Sequence, residues 1–148
     1  MTQLRIPGPT PLAPEVIEAM TQQMINHRGP EFRALIQRVT ERLKEFFQTK
    51  NDVLILTASG TGSMEAAIVN TLSPGDKVLA ISIGEFGERF AEIAQIYGAN
   101  VTKLSAPMGT AIDPQSVRDA LHKDSAIKAV LVTHNETSTG ITQDLEAI

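Results

Sequence analysis

The 148-residue sequence has no cysteine. That excludes a disulfide framework, a thiol nucleophile and any zinc site built on cysteines. No stretch approaches the 18 or so consecutive apolar residues of a membrane helix, and the N-terminus lacks the basic-then-apolar pattern of a secretory signal. A basic excess is missing as well. Seventeen acidic against 13 basic residues give a formal charge of −4, which argues against a binder of phosphate backbones. No Gly-Lys-Ser/Thr triplet occurs, so a Walker loop and nucleoside triphosphate hydrolysis are disfavoured. With 42% hydrophobic and 20% charged residues, what remains is the composition of an ordinary globular chain, expected to be soluble and cytoplasmic with one core.

Four prolines and a glycine between Pro7 and Pro14 block helix and predict an extended arm. Pro14 can open a helix that carries Val16, Ile17, Met20 and Met24 at helical spacing, up to a stop at residues 26–30. Met20, Met24 and Met64 are expected to fill core gaps. Phe32, Leu35, Ile36, Val39, Leu43, Phe46 and Phe47 line one face of a second, longer helix.

After Asp52 short apolar runs alternate with amphipathic segments. Strands are predicted at 53–57, 78–82, 101–104 and 129–133, and helices at 63–72, 86–97 and 114–122. Gly98 supplies a helix stop, and Asp113-Pro114 an N-cap followed by proline at the first helical position. The alternation implies an α/β fold of three layers, a mainly parallel sheet between helices. Residues 1–50 form the arm and two helices, and residues 51–148 part of a sheet domain. Residues 143–148 read as the opening of another helix that stops in mid-pattern, so the domain is expected to be truncated at its C-terminus.

Three segments could carry chemistry. Ser59-Gly60-Thr61-Gly62-Ser63 joins a predicted strand to a helix, the form of an anion cradle made from free amides and the positive end of the helix dipole. It could equally be a plain turn with Ser63 as N-cap. Gly84-Glu85-Phe86-Gly87 brings an aromatic ring to the end of the second strand, for stacking on a flat ligand or for the core. Thr133-His134-Asn135-Glu136-Thr137-Ser138-Thr139-Gly140 follows the fourth strand, where parallel sheets bind ligands. A zinc-deaminase reading of it fails without cysteines, and a serine-hydrolase reading fails without a Gly-x-Ser-x-Gly elbow. His27, His122 and His134 show no metal spacing. A dinucleotide fingerprint would need a small residue where Glu65 stands, which leaves a nicotinamide site, with Glu85 on a ribose, as a weak alternative.

Together with Pro7-Gly8-Pro9-Thr10 and His27-Arg28-Gly29-Pro30-Glu31-Phe32, these segments resemble, in order and along nearly the whole chain, the class V aminotransferases of fold type I, in particular the alanine–glyoxylate and serine–glyoxylate group. The resemblance implies the N-terminal part of the pyridoxal-phosphate transferase large domain and a pyridoxal 5′-phosphate cofactor. It further implies that Thr61, Gly62 and Ser63 hold the phosphate, that Phe86 stacks on the pyridine ring where relatives often have tryptophan, and that Thr137 bonds the phenolic oxygen. Gly8 would approach the substrate carboxylate, and residues 27–32 would lie near the boundary of a homodimer. The implied reaction moves an amino group from a small amino acid, serine or alanine, to the 2-oxo acid glyoxylate, with neither nucleic acid nor membrane as partner. The group also includes ureidoglycine–glyoxylate aminotransferases and relatives described as soluble hydrogenase small subunits.

In that family the lysine that binds the cofactor and moves the proton lies beyond the position matching Gly140, as do the aspartate on the pyridine nitrogen and the arginine of the small domain. None of Lys44, Lys50, Lys77, Lys103, Lys123 and Lys128 stands in a matching context. The 148 residues alone are therefore expected to be inactive, with no catalytic residue among them. The alternative from another class is a noncatalytic binding or assembly module derived from the same fold.

Overall fold

The computed structural model describes residues 4–148, which fall into two compact units, one up to Thr57 and the other Ala58–Ile148. In the first, an extended proline-rich segment leads into helix α1 (Pro14–Met20) and then α2 (Pro30–Phe46), both with proline at the start, where its missing N–H costs nothing. The first of these ends earlier than its apolar spacing suggests. Thr21 turns the chain at the α1 terminus, and Met20 and Met24 are exposed rather than filling a core. The amphipathic pattern of α2 is realised as helix, yet none of its residues is fully buried.

The second unit contains α3 (Gly60–Thr71), β1 (Lys77–Ser82), α4 (Glu85–Ile96), β2 (Asn100–Ser105), α5 (Pro114–Lys123), β3 (Ile127–Val132) and a hairpin of β4 (Asn135–Glu136) and β5 (Ile141–Thr142). Parallel pairing in the order β2-β1-β3 puts β1 at the centre, and every residue of it after Lys77 is buried. Successive β1 side chains point to opposite faces. Val78 and Ala80 pack with Ile68 of α3 and with Ala91 and Ala94 of α4. Leu79 and Ile81 pack with Val117 of α5 and with Ile112. Two helices on one face and one on the other make the three-layer α/β arrangement, and burying an aliphatic side chain such as Leu79 contributes about 1.5–3 kcal/mol.

Local signals that rest on backbone chemistry hold. Asp113 accepts the Gln115 amide at 3.0 Å as the cap of α5, and Gly98 ends α4 with φ +87°. The strand expected at 53–57 does not form. No ladder partner reaches it among the described residues, and Leu54 is 82% exposed; an apolar run becomes a strand only when a neighbour takes its N–H and C=O groups. Residues 143–148 make a turn instead of opening a helix, with the Asp144 side chain accepting the Ala147 amide and competing with helical bonding.

Candidate functional site

The site is built in the second unit at the C-terminal edge of the sheet, where β1 and β3 lie side by side and deliver the loops that follow them. Helix α3 starts three residues before its predicted position, so Ser59 rather than Ser63 is the N-cap. The Ser59 side chain makes no capping bond. Ser63 N–H is already bonded to the Ser59 carbonyl at 3.3 Å, which leaves the amides of Gly60, Thr61 and Gly62 without helical partners. A Cβ on Gly60 would meet nothing within 4 Å, whereas one on Gly62 would stand 2.6 Å from Ala58 Cβ. The chain can double back here only because Gly62 has no side chain, and there is open space on the Cβ side of Gly60. An uncapped helix start with three free N–H groups suits an anion.

Phe86, in the first turn of α4, is half-buried and joins neither core cluster, while Phe90, Ile93 and Ala94 further along the same helix do pack in the core. The stacking alternative is therefore open to its ring. Arg89, one turn on, places its guanidinium carbon 5.2 Å from the ring centroid and donates from Nη1 to Thr61 Oγ1 at 3.2 Å. Its Nη2 pairs with Glu85 at 3.2 Å. The helix carrying Phe86 is thus tied to the start of α3.

A second tie was not foreseen from the sequence. Glu136, with no exposed surface, accepts the Phe86 amide at 3.1 Å and the Gly87 amide at 2.9 Å through Oε2. Ser138 donates its hydroxyl to Glu136 Oε1 at 2.5 Å and accepts the Glu85 amide at 3.0 Å. This carboxylate serves as the cap that Gly84 cannot supply to α4. Burial pushes the Glu136 carboxyl up, but the Ser138 hydroxyl and the amides of Gly87, Phe86 and Ser138 together outweigh it and hold the pKa below the ordinary carboxylate value. A Cβ at Gly84 would lie 2.6 Å from the Glu136 carboxyl carbon, so the close approach needs glycine. Thr137, adjacent to this clamp, is exposed in the hairpin turn, and Thr133 Oγ1 is buried without a hydrogen-bond partner at the end of β3.

The structure therefore collects Thr61, Gly62, Ser63, Phe86 and Thr137 within one unit, at one sheet edge. Gly8 belongs to the first unit, where it is exposed and has open space around its Cβ position. Arg89 could have been found from its i, i+3 spacing to Phe86, which puts both on one helix face. For the tie from Glu136 to α4 no local spacing exists, because the Gly87 and Phe86 amides that it accepts precede it by 49 and 50 residues. Among the described residues no group of His, Asp and Glu side chains could hold a metal ion.

The family model for class-V aminotransferases matches residues 4–148. The chain is 46% identical over 147 residues to a soluble hydrogenase 42 kDa subunit of Anabaena cylindrica, covering 98% of this chain and 38% of that protein. It is 39% identical to a serine–glyoxylate aminotransferase of Methylorubrum extorquens, covering 98% of this chain and 37% of the other. The solved structure of an alanine–glyoxylate aminotransferase from Nostoc sp. superimposes with a TM-score of 0.87 at 36% identity, over 95% of this chain and 37% of that one. The chain thus spans less than two fifths of the length of these relatives. By fold, by sequence and by the family model along its described length, the chain belongs to the class-V aminotransferases.

Proposed function

We propose that the protein to which these residues belong is a pyridoxal 5′-phosphate-dependent aminotransferase that moves an amino group from a small amino acid, serine or alanine, to glyoxylate. The observation that carries this reading is the uncapped, glycine-rich start of α3, tied through Arg89 to the helix that presents Phe86. The residues fit the cofactor. Free amides at Gly60, Thr61 and Gly62 suit a phosphate, an aromatic ring outside the core suits a pyridine, and a hydroxyl at Thr137 suits a phenolic oxygen. When bound, such a cofactor supplies the electron sink that stabilises the carbanion formed when the substrate loses its α-proton.

This chain's own residues bind and orient. Thr61, Gly62 and Ser63 anchor the phosphate end, Phe86 fixes the ring plane and Thr137 sets its rotation. Glu136 holds the last two in register by bonding the Phe86 amide from the residue next to Thr137. Gly8 contributes to the substrate side, and the working unit is a homodimer. Residues 1–50 serve as arm and helices, and residues 51–148 as the cofactor-binding part.

The 148 residues do not complete the reaction by themselves. Lys77 and Lys128 sit at the N-terminal ends of their strands in ion pairs with Asp124 and Asp76, at the sheet edge opposite the site. Lys103 is paired with Glu88, and Lys123 closes α5 on the other face of the sheet. None is free beside Phe86. The test is an amino-transfer assay of the complete gene product with glyoxylate as acceptor. Turnover with serine or alanine supports the reading, and no turnover with any small donor overturns the substrate assignment.

A further inference from the structure

The cradle as drawn from amides alone is short of charge. A phosphate monoester carries nearly two negative charges at neutral pH, whereas a helix start offers the equivalent of about half a positive one. Among the described residues of the second unit, Arg89 is the one cationic side chain hydrogen-bonded to a residue of the α3 start. Lys77 and Lys128 are at the opposite sheet edge, Lys103 is engaged by Glu88, and Arg118 and Lys123 belong to α5 on the far face.

We propose that Arg89 is a phosphate-binding residue of this site, a cation that adds charge to the cradle made by the start of α3. The proposal rests on the cofactor reading given above and adds to it a residue from a different helix. Three contacts aim the guanidinium. Phe86 lies under it, Glu85 holds Nη2, and Thr61 Oγ1, on a residue whose own amide has no helical partner, receives Nη1 at 3.2 Å. A planar fork with five donors can keep the Thr61 bond on one edge and offer the others to phosphate oxygens, which a lysine ammonium cannot do with the same geometry. Glu85, 66% exposed, is a weak competitor that keeps the fork oriented until a stronger acceptor arrives.

The test measures binding of pyridoxal 5′-phosphate and of phosphate-free pyridoxal to the complete gene product and to its Arg89→Met and Arg89→Lys variants. Thermal unfolding of each protein without ligand is recorded alongside. Losing a charge-assisted contact to phosphate predicts that Arg89→Met binds pyridoxal 5′-phosphate about 10- to 100-fold more weakly, with pyridoxal affinity unchanged. Arg89→Lys, which keeps the charge but not the fork, should fall between the two. Inorganic phosphate should compete with the cofactor in the parent and much less in Arg89→Met. Equal losses for both ligands overturn the proposal, because Arg89 would then serve the ring or the fold. No loss for either also overturns it while leaving the cofactor reading standing. A parent protein that binds both ligands equally overturns the cofactor reading and this proposal with it. Should Arg89→Met fail to fold, Arg89→Gln, which keeps a donor toward Thr61 without the charge, carries the same comparison.

Discussion

Glu136 accepts the amide of Gly87 at 2.9 Å, across 49 residues of sequence, and so joins the loop after β3 to the helix after β1. Because its carboxylate is buried and bonded to backbone donors, both the charge and the shape of this side chain matter. Glu136→Gln keeps the volume but turns an amino group toward N–H donors. We expect a loss of about 1–3 kcal/mol at pH 7, read by urea denaturation, and weaker pyridoxal 5′-phosphate binding because Phe86 and Thr137 lose their common anchor.

The same carboxylate predicts a pH dependence. Its folded pKa is lowered, so its contribution to stability is fully present above the unfolded value of about 4.3 and is lost as pH falls through the lower folded value. Stability of the parent and of Glu136→Gln, measured from pH 7 to pH 3, should converge at the acid end. Glu88, lowered by its bond from Lys103 and then by that from Ser82, titrates in both proteins and cancels in the difference. A gap that stays constant down to pH 3 would show that the charge of Glu136 is not what stabilises the clamp.

Two glycines of the cradle should respond in opposite ways to alanine. At Gly60 the new methyl enters open space at the first helical position, so Gly60→Ala is expected to be neutral or to stabilise by up to about 1 kcal/mol. At Gly62 it would stand 2.6 Å from Ala58 Cβ, an atom fixed to the backbone, and the turn must open at a cost of about 1–3 kcal/mol. Adding Ala58→Gly should recover most of that loss. Thermal unfolding of the three variants checks the order.

Phe86 and Phe90 lie one turn apart on α4 with different tasks. Phe86→Ala should weaken pyridoxal 5′-phosphate binding roughly tenfold while changing stability little, because the ring stands outside the core. Phe90→Ala should chiefly destabilise, by about 2 kcal/mol or more, because its ring packs against the cluster around Ala91 and Ala94. Cofactor titration and urea denaturation of both variants separate the two effects.

Residues 53–57 give a stability contrast with β1. Leu54 is 82% exposed in the 148-residue chain, so Leu54→Ser should change its stability by less than about 0.5 kcal/mol. Leu79→Ala, at a position with no exposed surface, should cost about 2–5 kcal/mol. Chemical denaturation of the two variants provides the comparison. A large loss from Leu54→Ser would place that residue in a core.

The sequence by itself determined the elements whose signals are local. Three of the four predicted strands, the cap at Asp113, the stop at Gly98 and the amphipathic α2 and α4 follow from apolar period, capping side chains and a positive φ, all within a few residues of one another. Those signals also placed Phe86 at the start of its helix and Thr61 in the turn that leads into one, beside the loops where parallel sheets bind ligands, although α3 itself begins three residues earlier than they indicate. Tertiary structure decided what depends on partners far along the chain. Residues 53–57 carry a strand's composition yet meet no strand partner among the described residues, because a ladder is a property of two segments. The central place of β1 sets the C-terminal ends of β1 and β3 side by side, and only that adjacency lets Glu136 cap a helix that begins some fifty residues before it. Likewise the packing of α4 beside α3 brings Arg89 to Thr61 across 28 residues. Hydrogen bonds of this range are fixed by sheet order and helix packing, which no short stretch of sequence encodes.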